Sequence, residues 1–192
     1  MKRVEAVWKE LTKWFEANAP ELLETFRPGA SEAEIADLEA HIGLELPDDF
    51  RTFLKICNGQ FRDREARFYS GDLMPIEDIK RDWSMMQDLL EKGTFKESTT
   101  YPGEGVKKAW WNPAWVPFLF WQSADNTVLD LDPAKGGTQG QVVIFWHDQG
   151  DRDVDQPSFT GWLEFIMDGI KSGEIVYDRE EYDALVDIKD LS

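Results

Sequence analysis

A single cysteine, Cys57, leaves no possibility of an internal disulfide. That fits a reducing compartment and a cytoplasmic setting. Histidine is almost as scarce. His41 and His147 are the only two, and neither stands at metal-ligand spacing from another histidine or from the cysteine. No metal and no cofactor is expected. Basic residues number 21 against 38 acids, for a net charge of −17. Binding to nucleic acid is disfavoured, because phosphate contacts need a basic footprint. Long apolar runs are missing too. Residues 116–121 form one of the longest, far too short to cross a bilayer, so no membrane partner is expected. The opening MKRVEAVWKE lacks an uninterrupted apolar stretch and a small-residue cleavage site, and is not expected to act as a signal peptide. Neither internal repeats nor low-complexity segments are evident.

What is present is apolar and aromatic: 42% and 13% of the 192 residues. This length and composition suit one globular domain over 1–192 with a real core. The acidic charge serves solubility, or offers a surface to a basic partner such as a nuclease. Residues 110–147 hold five of the nine tryptophans. They predict strands at 115–121, 127–131 and 141–147, with turns at 123–126 and 132–137, because Val, Ile, Phe and Trp runs alternate with Asn, Asp, Pro and Gly clusters. Such an antiparallel meander would be the central sheet.

Helices are predicted around it. Val4, Val7, Trp8, Leu11 and Phe15 make an apolar stripe over 4–17. A short helix is expected at 21–26. Ser31 and Glu34 have capping-box spacing before Ile35, Leu38 and Ile42, and Gly43 suits the helix end. Pro47 starts another helix, with Phe50, Phe53, Leu54 and Cys57 facing inward and Asn58-Gly59 ending it. Residues 61–69 read as a strand, 77–91 as a helix and 93–105 as a polar loop. Residues 148–156, DQGDRDVDQ, read as an acidic loop. A helix follows at 159–170, then a tail with a short strand and a helix at 180–186. Residues 148–192 carry 13 acids and four bases.

The candidate chemistry thins out on inspection. The helix pair around Gly43 resembles a helix-turn-helix, but its second helix would enter a groove with Asp48 and Asp49 leading. Asp151, Asp153 and Asp155 open an EF-hand spacing that fails at Gln156 and Trp162. Asp130 and Asp132, two apart at a strand end, would share a face and with Asp125 could suggest acid/base or metal chemistry. Asp132-Pro133 is equally a turn signature, which is favoured. Cys57 reads as a small core residue. Ser123 and Ser158 lack a nucleophile-elbow context, and the glycines of 136–140 precede a strand instead of a helix. No catalytic constellation survives, and the chain reads as a binding protein, not an enzyme.

The order of motifs carries a resemblance. PGASEAEIADLEAHIGLELPDDFRTFLKICNGQ at 28–60 is followed by WWNPAWVPF at 110–118, DLDP at 130–133 and GGTQGQVV at 136–143. Together they resemble the SMI1/KNR4 family, the core of the SUKH superfamily, over about residues 5–170. Residues 171–192 would be an acidic C-terminal extension. LFWQSADN at 119–126 departs from the pattern by lacking a glycine. The resemblance implies an α+β fold, with helices around a mostly antiparallel sheet, and no shared catalytic residues. Many bacterial members are thought to be immunity proteins that neutralise toxins; fungal relatives act in cell-wall synthesis signalling. The expectation is therefore a stoichiometric binder of a cognate toxin domain, or alternatively a regulatory or scaffold module; a small-ligand-binding protein is a third reading. Trp115, Pro117, Asp130, Asp132, Pro133, Gly140 and Gln141 match the family motif and are read as structural. Partner contacts are expected from Asp148, Asp151, Asp153 and Asp155, and from exposed aromatics at Trp110 and Trp111.

Overall fold

A computed structural model describes residues 2–69, 71–121 and 124–191. The chain opens with α1 (Lys2–Asn18) and α2 (Pro20–Leu23), then β1 (Phe26–Pro28), α3 (Glu32–Ile42), α4 (Asp48–Leu54), β2 (Cys57–Gln60), β3 (Gly71–Leu73) and α5 (Ile76–Glu91). Next come β4 (Tyr101–Pro102), β5 (Trp115–Trp121), β6 (Asn126–Asp130), β7 (Gln141–Phe145), β8 (Asp151–Arg152) and β9 (Val154–Gln156). It closes with α6 (Phe159–Ser172), β10 (Ile175–Asp178), β11 (Ala184–Asp187) and a 3-10 turn. The fold is α+β.

Sequence chemistry explains the helices. Val4, Trp8, Leu11 and Phe15 recur on one face of α1, and all four are buried. At α3 the Ser31 hydroxyl accepts from the Glu34 amide, while Glu34 Oε2 accepts from the Ser31 amide at 2.8 Å. This reciprocal box satisfies two donors that the first turn leaves free. Gly43, at φ +72, ends the helix in the left-handed conformation. Ser158 caps α6 by accepting from the Gly161 amide at 3.0 Å. Thr160 donates from its amide to Asp49 Oδ2, 2.9 Å away, which ties α6 to α4.

The central sheet has the order β3-β5-β6-β7-β9 with every neighbouring pair antiparallel. Both faces are covered, and strand alternation sorts the side chains between them. Val116, Leu129 and Val142 join the larger core with Trp8, Phe53, Phe159 and Trp162 from α1, α4 and α6. Trp115, Val128, Val143 and Phe145 point the other way, to Met86 of α5 and to Val106 and Trp111. The 110–147 meander thus separates two aromatic layers. The predicted turn at 123–126 begins on Ser123, which lies outside the described residues.

Five expectations are corrected. The helix expected at 21–26 stops at Leu23, because Phe26 pairs with Gln60 and sets its ring edge-on to Trp8, centroids 5.0 Å apart. The helix expected to carry Cys57 stops at Leu54, and Cys57 begins β2. Residues 61–69 form no strand; only isolated bridges occur there, Arg67 to Ala184 and Phe68 to Gly71. The supposed loop 148–156 contains β8, parallel to β4, and β9, which extends the central sheet. The helix expected at 180–186 is a hairpin of β10 and β11. Asp178 Oδ1 accepts from the amides of Glu180, Glu181 and Tyr182, which builds a turn where a helix was expected. Ala184, Leu185 and Val186 are buried, so the C-terminal hairpin belongs to the core.

Candidate binding cleft and its surroundings

Between the first turns of α5 and the β3 edge of the sheet lies a cleft of about 310 Å³. Leu73, Met74, Pro75 and Phe120 supply its apolar surface; Phe61, Arg62, Asp72, Asp78 and Arg81 supply the rest. Two side chains of the Asn58-Gly59-Gln60 segment hold the elements around it, and Gln60 itself lines it. Pro75 precedes α5 and offers no side-chain cap; Asn58 Oδ1 accepts from the Ile76 amide at 2.9 Å instead. Gln60 is buried and fully engaged. Its Oε1 accepts from the Leu73 amide at 2.9 Å and from Phe68, and its Nε2 donates to Thr25 Oγ1 and the Ala66 carbonyl. The bond from Leu73 satisfies an amide of the edge strand β3, and the others tie in the backbone of Ala66 and Phe68 and the Thr25 hydroxyl.

The charges of the cleft are mostly cancelled. Asp78, in the first turn of α5, is buried and accepts from Arg62 Nε and from Arg81 Nη1, the latter at 2.6 Å. Arg81 Nε also donates to Asp82 at 2.9 Å. Asp72 differs: half-buried, it has no hydrogen-bond or ion-pair partner among the described residues. Burial pushes its carboxyl above the ordinary range, against the opposing influence of Arg67 and Arg62.

The residues singled out from sequence lie elsewhere. Asp148, Asp151 and Asp153 are exposed, whereas Asp155 is half-buried on β9 and its carboxyl is pushed up by desolvation. The segment is organised by Arg152, which sequence reasoning passed over. Its side chain is fully buried. Nη1 donates to the carbonyls of Gln149 and Asp151 at 2.7 and 2.6 Å, and Nη2 to those of Trp146 and Trp110 at 3.0 and 3.3 Å. The guanidinium also sits 4.4 Å from the Phe145 ring centroid and 5.1 Å from that of Trp110. The one available signal was a single base within a run of acids. Burial lowers the Arg152 pKa to about 10, which still leaves it charged at neutral pH.

Trp111 is not an exposed anchor. It is 2% exposed and set edge-on to Trp115 and Phe145, so it is removed from the candidate contacts. Trp110 is half-buried and stacks on Phe95.

Asp130 and Asp132 do not form a carboxylate pair. Asp130 is wholly buried opposite Trp115 and Gln141. It accepts from the Asp132 amide at 3.1 Å and from Gln141 Nε2 at 3.0 Å. Burial raises its pKa, with those two bonds opposing. Asp132 is exposed and paired with Lys107. Gln141 also accepts from the Thr138 amide and donates to the Gly105 carbonyl, both at 2.9 Å. Trp115 and Pro117 are buried in β5, Pro133 is half-buried in the turn, and Gly140 is at φ +84 against Pro47. Asp125 lies 22 residues from His147, too far for a spacing rule to link them. Yet its buried Oδ1 accepts from the His147 amide at 2.7 Å and lies 2.9 Å from Nδ1. With Asp148, their donor atoms lie within 4.8 Å of one another. Asp125 Oδ1 is engaged by His147, and the two form an ion pair when the imidazole is protonated.

No helix among the described residues is long and apolar enough to cross a membrane. Residues 29–164 match the sequence model of the SMI1 / KNR4 family (SUKH-1). The chain is similar to the "Glucan synthesis regulatory protein" of Neurospora crassa, at 23% identity over 92% of this chain and 40% of that protein. It is similar to the "Cell wall biosynthesis/cell cycle regulator smi1" of Schizosaccharomyces pombe, at 24% identity over 91% of this chain and 37% of that one. It is also similar to "F-box only protein 3" of Mus musculus, 37% identical over 93% of this chain and 36% of that one. The chain therefore spans two fifths or less of the length of these curated relatives.

Proposed function

Because the chain belongs to the SMI1 / KNR4 family (SUKH-1), we propose that it is a non-catalytic protein-binding module with a regulatory or scaffold role. The observation that carries this is the set of relatives. Two that align with over nine-tenths of this chain are named as regulators, and each is much longer than the aligned segment. A module embedded in larger regulators acts through what it holds. The geometry agrees. Gln60, Asn58, Asp130 and Gln141 are bonded into the scaffold, while the cleft and the acidic rim at Asp148, Asp151 and Asp153 remain accessible.

Toxin neutralisation by stoichiometric binding is the competing role, with the acidic rim set against a basic toxin. None of the three relatives named above carries a toxin-related name, so the regulatory reading leads. The experiment is cross-linking in the native cell, identification of the partner, and titration of the purified pair by calorimetry. Saturable one-to-one binding with an unmodified partner is the expected result. A toxin domain as partner would transfer the reading to immunity, and chemical turnover of any partner would sink both.

A further inference from the structure

We infer that the cleft beside α5 receives a lysine or arginine side chain of the partner protein, with the Asp72 carboxylate as its counter-ion. The inference deepens the protein-binding reading and rests on it. Asp72 is the middle residue of β3, opposite Phe120 on β5, and cross-strand partners share a face. That face opens into the cleft. A half-buried carboxylate with no hydrogen-bonded partner loses hydration that the charges of Arg67 and Arg62 offset only in part, and an incoming cation supplies the rest. Burial raises the Asp72 pKa, and a bound cation would bring it down again.

The rest of the cleft favours a cation over an anion. Both guanidiniums at its mouth are engaged, Arg62 with Asp78 and Arg81 with Asp78 and Asp82. An anion would have to break those pairs, whereas a cation finds in Asp72 the lining carboxylate that has no hydrogen-bonded ion pair among the described residues. Met74 and Pro75 offer apolar surface for an aliphatic stem. Phe120 adds an aromatic ring to the lining, and Phe61, 42% exposed, already holds a cation, the Arg27 guanidinium 5.9 Å from its ring centroid. A volume of about 310 Å³ is at the lower end of ligand pockets, suited to one side chain of a larger partner. The net charge of −17 draws a basic partner to the chain as a whole.

The test titrates the full chain with N-acetyl-lysine amide and N-acetyl-arginine amide, followed by amide shifts in heteronuclear NMR. N-acetyl-norleucine amide, which keeps the four-carbon stem of lysine but lacks the ammonium, is the control. The expected result is saturable shifts centred on residues 60–62, 71–75 and 119–121. The uncharged probe, and Asp72→Asn with either basic probe, should bind about tenfold more weakly. Equal response to norleucine, unaltered affinity in Asp72→Asn, shifts centred elsewhere, or no saturable shift overturns the assignment. Should Asp72→Asn fail to fold, the comparison of lysine with norleucine on the native chain decides alone. A partner found by cross-linking gives the second arm. If Asp72→Asn binds it unchanged, the cleft assignment fails and the protein-binding reading stands. If no partner exists, the reading fails while the probe titration still judges the cleft.

Discussion

At the scale of single residues, the buried polar groups decide the outcome. Arg152 donates to four backbone carbonyls and has no ion pair among the described residues, although the charges of Asp151 and Asp125 act on it. Replacing it with methionine fills much of the volume but strips all four carbonyls of their donor. We expect Arg152→Met to lower unfolding stability by roughly 2–4 kcal/mol, read by urea denaturation, because unsatisfied buried acceptors keep their desolvation penalty. Arg152→Lys, which cannot span all four, should recover only part of the loss. Asp125 makes a different prediction. Its hydrogen bond to His147 is the main reason the imidazole pKa lies above the ordinary value. Protonation is then favoured more in the folded than in the unfolded chain. The resulting stability is fully present below about pH 6.5 and is lost as pH rises through the folded-state value. The urea midpoint should therefore fall as pH climbs from about 6 into the alkaline range, and His147→Gln should flatten that step. A step that persists in the variant would belong to another group. Cys57, buried on β2 with its thiol pushed up to about 12, should resist thiol reagents until the chain unfolds; rapid labelling under native conditions would contradict its burial.

At the scale of elements, glycines of the same backbone angle separate two kinds of cost. Gly43, at the end of α3, and Gly59, inside β2, both have φ +72. A methyl at Gly43 meets open space, whereas one at Gly59 collides with backbone atoms of Leu73, Met74 and Pro75. Gly43→Ala should cost about 1 kcal/mol, the left-handed penalty alone. Gly59→Ala should exceed about 3 kcal/mol, because the wall of the cleft must move. Thermal unfolding of the pair checks this, and equal losses would argue that β2 can shift freely. The same contrast explains which elements were legible in the sequence. The helix periodicity of α1, the Ser31–Glu34 box and the β5–β7 meander are local patterns, and local patterns survive without coordinates. Strands β1, β2, β8 and β9 are two to four residues long. Arg, Asp, Asn and Gln dominate them, residue types of weak or unfavourable strand preference, so only their partners make them strands. The cleft was illegible for that reason. Asp72 is ordinary in sequence and gains its character from the approach of α5 and the fold of 58–62. The acidic segment 148–155 misled in the opposite sense, since its charge was visible but the buried Arg152 that shapes it was not.

At the scale of the whole molecule, the charge is both a solubility device and a load. With 38 acids against 21 bases, the folded chain concentrates repulsion that the unfolded chain disperses. Part is relieved internally. Arg51 bridges Glu32 and Glu39, two turns apart on the same face of α3, and Lys80 reaches Asp37 across to α3. These pairs are partly exposed, so each contributes modestly and is itself weakened by salt. The acids of the C-terminal part, Asp148 to Asp187, have few bases among them and gain most from screening. The Debye length shrinks from about 30 Å at 0.01 M to about 10 Å at 0.1 M, which removes long-range repulsion before it removes contact pairs. The melting temperature should therefore rise between about 0.01 and 0.2 M sodium chloride, measured by scanning calorimetry. Over the same range, association with a basic partner should slow, because screening cancels the attraction that steers encounter. The two effects have opposite signs from one cause, so they must appear together. A melting temperature that falls with salt would mean that contact pairs such as Arg51–Glu39 outweigh the net repulsion. An association rate indifferent to salt would mean that the partner docks without using this chain's charge.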